Sequence, residues 1–587
     1  MNNRIFNFTS DMFIGKVINI EVSLIKIEVE NKEIMDRFSV GHLISIINKK
    51  DDIAFVGIVK KVEKEKAKEA QPIFYIYLNL IGTFYEMINN KSNVYKRGIN
   101  VFPTIQSQCY LIEKNNLYNL MQIVGNEIET TDQLVIGKYA LETKAMAILN
   151  GDVFFQRHAA ILGSTGAGKS WFVANILEKA KKLKYANVIV FDIHGEYKPL
   201  TEGENKIATR YKIAGPGDKE LNKASTIYLP YWLLKTDELI SLLINKEHEN
   251  SDIQMLRLST HIGRLKEQKL NELNKINILN TFTMDSPIPY NINELAKLLN
   301  IDNNKKSYAA ASGEAKRGNW EGRLTDLVNT LRAKIHDKRY AFLFNPHEKT
   351  MKYEWFGELM ADILGISKEG NTIKIIDFSE VPSDILPIIT GKLVNLIYDV
   401  QFWMEEEERT PINIVCDEAH LYLPEVKDKE ILKHSLENFE KIAKEGRKYS
   451  VSLTVVSQRP YDVSRTILSQ CNNFIALRLT NDEDRKMVKS LIPESLEGVV
   501  DMLPLLGIGE AMIFGDAILM PSKIILDIPT IKPSSNTKDY WIEWNSKKPS
   551  NENINKSVEI LRQQTRNIIK DNKQSNEMKK QKQPDFI

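Results

Sequence analysis

Eight consecutive residues, Gly163-Ser164-Thr165-Gly166-Ala167-Gly168-Lys169-Ser170, have the types and spacing of a phosphate-binding loop, G-x-x-x-x-G-K-[ST]. Glycines let the backbone turn tightly, so that several N–H groups converge on a phosphate. A helix following the loop adds the partial positive charge of its N-terminus. Lys169 has the reach for the β- and γ-phosphates, and Ser170 has a hydroxyl suited to Mg2+. The context fits this chemistry: Ala159-Ala160-Ile161-Leu162 reads as a buried strand and Trp171 to Leu183 as a helix. Trp171 joins the loop among the residues expected to bind the nucleotide, ATP with Mg2+.

Hydrolysis needs carboxylates beside such a loop, and Ile412-Asn413-Ile414-Val415-Cys416-Asp417-Glu418-Ala419-His420 supplies them. The apolar run predicts a central strand with Asp417 at its C-terminal end, where open parallel sheets bind ligands. Asp417 is expected to hold the Mg2+ shell, and Glu418 to act as general base on the attacking water. In Ser457-Gln458-Arg459-Pro460, after another apolar run, Gln458 is suited to sensing the γ-phosphate or orienting the water; a capping turn before Pro460 is the bland alternative. Asp192-Ile193-His194-Gly195-Glu196-Tyr197 places two carboxylates and a histidine at the end of a further strand, where contact with nucleotide and contact with a neighbouring subunit are both open. Arg157 and Arg447 are of the type that stabilises transition-state charge in motor ATPases, often across a subunit boundary. Taken alone, each is more simply a surface ion-pair partner.

These residues must be positioned by a sheet. From about residue 140 the pattern alternates strand and helix, the mark of a parallel α/β layer. The predicted strands are Ala159–Leu162, Asn187–Phe191, Ile373–Phe378, Ile412–Cys416, Ser452–Val456 and Asn473–Leu477. A helical stretch between about 234 and 345 interrupts the alternation; Leu324, Leu327, Leu331 and Ile335 have helical spacing and should face a core. Residues 12 to 135 read as β-rich, with alternation over Val17 to Val22 and Ile25 to Val29 and further strands at Leu43–Ile47, Ala54–Val62 and Ile73–Ile81. Several short strands at this spacing suggest a small barrel, and the charged run Glu63 to Glu69 is most simply a solvated hairpin tip. From Ser546 onward ten Lys and Arg stand against five Asp and Glu, and the tail is expected to hold a short helix, Val558 to Ile569, before a disordered end. No internal repeat is evident.

The motifs together resemble the HerA family, in the FtsK–HerA branch of the P-loop ATPases. Gly163–Ser170, Asp192–Tyr197, Leu229-Pro230-Tyr231-Trp232, Asp377–Val381, Asp417–His420, Gly446–Tyr449, Ser457–Pro460 and Leu503–Gly515 follow the family's order. The resemblance implies an α/β fold: a RecA-like core in two parts, 136–233 and 346–534, a helical insertion at 234–345, an N-terminal barrel at 1–135 and a basic tail at 535–587. It implies a homo-hexameric ring that pumps double-stranded DNA with ATP, in which Arg447 is a trans-acting finger and Arg157 a second arginine at the subunit boundary. Asp417-Glu418-Ala419-His420 also spells the DEAH box of another helicase superfamily. No Ser-Ala-Thr and no Gln-x-x-Gly-Arg-x-Gly-Arg motif follows it, so the common feature is a carboxylate strand.

The family occurs in DNA end processing beside a nuclease and in anti-phage defence. Two functions therefore follow: a motor feeding duplex to a nuclease, or an ATP-regulated scaffold for an effector such as a nuclease or an NAD-consuming enzyme. The chain shows no nuclease motif of its own, which assigns cutting to a partner. DNA contacts are expected mostly to phosphates, from the locally basic stretch Lys316-Arg317-Gly318-Asn319-Trp320 with Arg323, Arg332, Lys334, Lys338 and Arg339; a solvated helix face is the alternative for Arg332 to Arg339. Bulk charge does not argue for nucleic acid, since 79 Lys and Arg against 77 Asp and Glu leave only +2. Cys109, Cys416 and Cys471 form no C-x-x-C pair, so neither zinc nor a disulfide framework is expected. With no apolar run near 18 residues and no signal-peptide pattern, no membrane span is expected and the cytoplasm is the expected compartment.

Overall fold

A computed structural model describes residues 6–21, 24–37, 39–48, 53–65, 72–85, 94–97, 101–126, 128–214, 225–308, 315–316, 318–383, 385–425, 430–493, 497–534, 538–548 and 550–563. The backbone packs into two compact units. The first comprises Met1–Arg210, Ile363–Ser379 and Ser383–Ser534; the second comprises Tyr211–Asp362, Glu380–Pro382 and Ser535–Ile587.

In the first unit, alternating apolar residues build an antiparallel barrel. Its strands follow the order Ile25–Val29, Phe13–Ile20, Gln108–Leu111, Leu43–Asn48, Ile53–Glu65 and Ile73–Tyr85, and the last pairs with the first, Ile25 opposite Leu78 and Ile27 opposite Ile76. Closure removes the open edges that a flat sheet would leave. Ile14, Val17, Ile27, Ile44, Ile46, Phe55, Ile76, Leu78 and Cys109 fill the interior, in keeping with the two-residue period of a strand. Val94–Lys96 adds a short strand alongside Ile73–Tyr85.

The nucleotide-site sheet has a parallel heart. Its strands run Ile373–Asp377, Asn187–Asp192, Ile412–Cys416, Val451–Ser457, Ala159–Leu162 and Asn473–Ala476. All four residues of Ala159–Leu162 and all five of Ile412–Cys416 are buried, as in strands covered on both faces. The sheet then continues antiparallel through Glu510–Gly515, Ser522–Leu526, Gln133–Tyr139 and Met146–Asn150. The helix Lys169–Ala180 buries Phe172, Val173, Ile176, Leu177 and Ala180. Each large apolar side chain among them contributes about 1.5–3 kcal/mol on full burial. One core joins this face to Ile161 and Val190 of the sheet and to Val56, Phe84 and Tyr95 of the barrel strands.

The second unit is largely helical: Thr236–Leu243, Ser251–Glu272, Ile292–Asn304 and Thr325–His336 pack around Leu258, Ile262, Leu295, Leu299, Leu327 and Leu331. Asn291 caps the helix Ile292–Asn304 by accepting from the N–H groups of Asn293 and Glu294. Lys266 is buried, with Nζ donating to the carbonyls of Met284 at 2.6 Å and Ser286 at 2.7 Å. Arg257 and His261 both reach Asp302, and the Arg257 guanidinium lies 5.3 Å from the Trp320 ring centre.

The structure departs from the sequence-based expectations at several places. The β-rich region also holds the helix Lys114–Asn126, whose Leu117, Leu120, Met121 and Val124 are buried at helical spacing. The four antiparallel strands that extend the sheet are absent from the sequence-based strand assignment. Glu63–Glu65 belong to a strand, with Glu63 opposite Tyr75 and Glu65 opposite Ile73, while the remainder of that charged run lies outside the described residues. Leu324, Leu327 and Leu331 are buried but Ile335, in the last turn of its helix, is half-buried. The C-terminal helix spans Asn551–Gln563; the rest of Val558–Ile569, with Arg317, falls outside the described residues. No described helix is long and apolar enough to cross a membrane, and all three cysteines are buried and free.

Candidate nucleotide site

The parallel register aligns the predicted site residues at one edge of the sheet. Leu162 lies opposite Ser457 and Cys416 opposite Val455, so Gly163, Gln458 and Asp417 leave adjacent strands at the C-terminal edge. The loop is held from several sides. Gly163 N–H donates to Ser457 O at 3.2 Å, Ser164 N–H to Arg478 O at 2.8 Å, and Gly509 N–H to Ala167 O at 3.2 Å. A Cβ on Gly163 would lie 2.8 Å from Leu477 Cβ, and Gly168 has φ of +109°, so each position requires glycine for its own reason. Gly168 caps the helix Lys169–Ala180, aiming that helix's N-terminus at the loop.

Side chains converge on the same edge. Lys169 Nζ donates to the carbonyls of Gly163 at 2.9 Å and Ser164 at 3.3 Å. The Thr165 hydroxyl is hydrogen-bonded to Gln458 Oε1, which ties the loop to the neighbouring strand. Ser170 Oγ donates to Glu196 Oε2 at 2.7 Å. Trp171 is 39% exposed at the start of the helix, with Lys532 Nζ 5.3 Å from its ring centre. Asp192 receives the N–H groups of Glu196 and Tyr197, each at 3.0 Å, and so shapes the turn that carries Glu196.

The electrostatics are dominated by carboxylates in a poorly hydrated place. Burial pushes Asp417 well above the usual carboxylate range, with Glu418, Asp192 and Glu196 adding to the shift and Lys169 opposing it. Burial likewise raises Glu418, against Lys169 and His194. Asp192 is pushed up to about 7 by burial, with Asp377 adding and the N–H bonds from Tyr197 and Glu196 opposing. Burial lowers Lys169, and Glu418, Asp417 and Glu196 oppose that shift. His420 is pushed down to about 4 by burial. It is therefore neutral at pH 7, and its 3.4 Å approach to Glu418 is not an ion pair. Glu418 has φ +45° and ψ +45°, a left-handed conformation uncommon outside glycine. Its Oε2 is buried without a hydrogen-bond donor among the described residues.

These groups suit a nucleotide with Mg2+. Positive backbone and lysine charge faces an excess of carboxylate, and a divalent cation would relieve that excess. Among the described residues no three His, Cys, Asp or Glu side chains converge as a ready-made ligand set. A phosphate-bound magnesium does not need one, since it takes one or two protein oxygens and completes its shell with phosphate and water.

The two arginines are elsewhere in their own chain. Arg447 is exposed in the turn Gly446–Tyr449, before Val451–Ser457, while Gln458 follows that strand. At about 3.3 Å per residue the strand alone separates them by roughly 20 Å. Arg447 lines a cavity of about 800 Å³ at the N-terminal strand edge, with Asn187, Ile412 and Val451. Arg157 precedes the strand Ala159–Leu162 and pairs with Asp516 at 2.8 Å; Asp516 also receives Arg97, at 3.4 Å. That anchoring role has no short motif in the sequence. The link between Ala167 and Gly509 has a signal only in the Gly-Glu-Ala segment at 509–511.

A parallel sheet with a phosphate-binding loop, a carboxylate strand and a glutamine at one edge defines a RecA-like P-loop ATPase, an ATP hydrolase. Residues 134–397 match the family described as Helicase HerA, central domain. Over this region the chain is similar to the HerA helicases. It is 28% identical over 412 residues to a probable helicase of Methanocaldococcus jannaschii, spanning 70% of this chain and 68% of that one. It is 26% identical over 453 residues to the DNA double-strand break repair helicase HerA of Pyrococcus furiosus, spanning 72% and 73%. Among solved structures, VirB4 of Thermoanaerobacter pseudethanolicus aligns with 71% of this chain and 99% of its own at 15% identity and a TM-score of 0.44.

Proposed function

We propose that this chain forms a homo-hexameric ring that translocates double-stranded DNA by hydrolysing ATP, with a separate nuclease or defence effector subunit supplying the downstream chemistry. The observation that carries the reading is the split of the site: the loop, Asp417, Glu418 and Gln458 share one sheet edge, and Arg447 sits exposed at the other. A ring resolves the split, because the finger of one subunit then serves the loop of the next. The names of the relatives, helicases of DNA double-strand break repair, favour duplex DNA as the track.

In this reading the loop N–H groups, Lys169 and the helix N-terminus hold the phosphates. Ser170 and Asp417 hold Mg2+, which supplies charge neutralisation on the phosphate oxygens. Glu418, whose Oε2 has unused acceptor capacity, takes the proton of the attacking water. Gln458 orients that water and relays phosphate state to Thr165. Trp171 borders the nucleotide at the helix start. Arg157, anchored by Asp516 of its own chain, borders the neighbouring subunit. Arg323 and Arg332, both exposed, are the candidates for phosphate contacts along DNA.

Complementation tests this reading. Lys169→Ala and Arg447→Ala proteins should each be inactive in DNA-stimulated ATP turnover. Mixed in equal amounts and reassembled, they should regain activity at about one quarter of their interfaces, where an intact loop meets an intact finger. A mixture that stays inactive, or wild-type turnover indifferent both to duplex DNA and to protein concentration, refutes it.

A further inference from the structure

Among the described residues, Glu196 is the one carboxylate of the edge that touches a residue of the phosphate-binding loop directly: Ser170 Oγ donates to its Oε2 at 2.7 Å. Its backbone is fixed on both sides. The N–H of Glu196 donates to Asp192 Oδ1 at 3.0 Å, and its carbonyl accepts from Ser534 N–H at 2.8 Å. Gly195, with φ +73°, provides the turn that brings the side chain back toward the loop, and its absent Cβ position faces Ser379 at 3.7 Å. The position is therefore built.

A serine hydroxyl has one proton and two lone pairs. If the proton points into a carboxylate, both lone pairs are free to face a cation, and the hydrogen bond raises the oxygen's basicity. Groups behind a metal ligand commonly set its orientation in this way. We propose that Glu196 is a positioning residue for Mg2+ binding, holding the Ser170 hydroxyl with its lone pairs turned toward the cation. The inference rests on the reading of Ser170 as a magnesium ligand. It gives the Asp192–Tyr197 segment a definite role, in which Asp192 shapes the turn and Glu196 orients the loop serine.

The test is ADP binding by calorimetry, in EDTA and across a MgCl2 titration, for wild type, Glu196→Gln, Glu196→Asp, Ser170→Ala and Ser170→Ala/Glu196→Gln. In Glu196→Gln the Mg2+ concentration that half-tightens ADP should rise about 10- to 100-fold. Binding in EDTA should be unchanged or tighter, because a negative charge near the phosphates is gone. Glu196→Asp, one methylene shorter, should shift in the same direction without a change of charge, which separates orientation from electrostatics. The double variant should be no worse than Ser170→Ala alone, since both changes remove one interaction. Equal loss with and without Mg2+, or fully multiplicative effects in the double variant, overturns the positioning role while leaving the nucleotide site intact. A wild-type protein whose ADP affinity ignores Mg2+ overturns both this proposal and the reading of Ser170.

Discussion

His158 connects solution pH to the base of the nucleotide site. It sits immediately before the strand Ala159–Leu162, is buried, and accepts the Leu453 N–H at Nδ1, 2.9 Å away. Burial pushes its pKa down to about 4 from the usual 6.5, against a hydrogen bond to the backbone of Ala443. The sign follows from which state binds the proton. Above pH 6.5 both folded and unfolded chains hold neutral His158, and the contact is fully present. As pH falls from 6.5 toward 4, the unfolded chain gains the proton and the folded chain does not, so stability is lost. The gap between 6.5 and about 4 corresponds to about 2 kcal/mol lost by pH 5 and about 3 kcal/mol by pH 4. His158→Asn is the informative variant. Asparagine tolerates the φ of +49° found here and offers an acceptor near the position of Nδ1, but does not titrate. It forgoes the bond to Ala443, a cost of about 1 kcal/mol at pH 7.5. The two stability curves should therefore cross between pH 7.5 and 5, with the variant more stable on the acid side. Urea unfolding, read at the transition that removes nucleotide binding, measures this at half-unit intervals of pH. A wild-type minus variant difference that stays flat from pH 7.5 to 4.5 refutes the reasoning.

Two further expectations concern chemistry and packing. Glu418→Gln should lower ATP turnover by about 10²-fold or more while leaving ADP affinity within a few-fold, as measured by steady-state kinetics and calorimetry on the same preparation. Gly391, in the helix Leu386–Trp403, lies against Ser435 of the helix Glu430–Glu445, where an added Cβ would come 2.8 Å from Ser435 Cα. Gly391→Ala should destabilise the first unit by about 1–3 kcal/mol in thermal or urea unfolding, and adding Ser435→Ala should recover only part of the loss, because backbone atoms remain in the way.

Much of the site was legible because its residues obey local rules. A phosphate-binding loop between a strand and a helix is a short motif, and so is a carboxylate pair ending an apolar strand. The parallel strands were readable for the same reason, since strands covered on both faces are short, mostly apolar runs. What escaped depends on distant partners. Nothing near Glu196 in the sequence reveals that its side chain meets Ser170, because that meeting depends on a turn shaped by Asp192. Arg157 carries no local sign of Asp516, which lies 359 residues away. The helix Lys114–Asn126 was hidden inside a β-rich stretch because its apolar residues are interleaved with asparagines, poor helix formers.

The antiparallel arm of the sheet has a consequence for how the chain is made. The strand Gln133–Tyr139 pairs on one side with Met146–Asn150, which follows at once, but on the other with Ser522–Leu526: Tyr139 faces Ile524. The barrel needs nothing beyond Gln108–Leu111 and can close while the rest is still being synthesised. The early strand of the ATPase sheet must instead wait for a partner about 385 residues later, roughly 20–80 seconds at common rates of translation. During that interval the nascent chain carries a finished barrel and an unpaired strand edge, the kind of edge that recruits wrong partners. Completion of this sheet therefore comes long after closure of the barrel, and the interval between the two is when the chain is most exposed to misassembly.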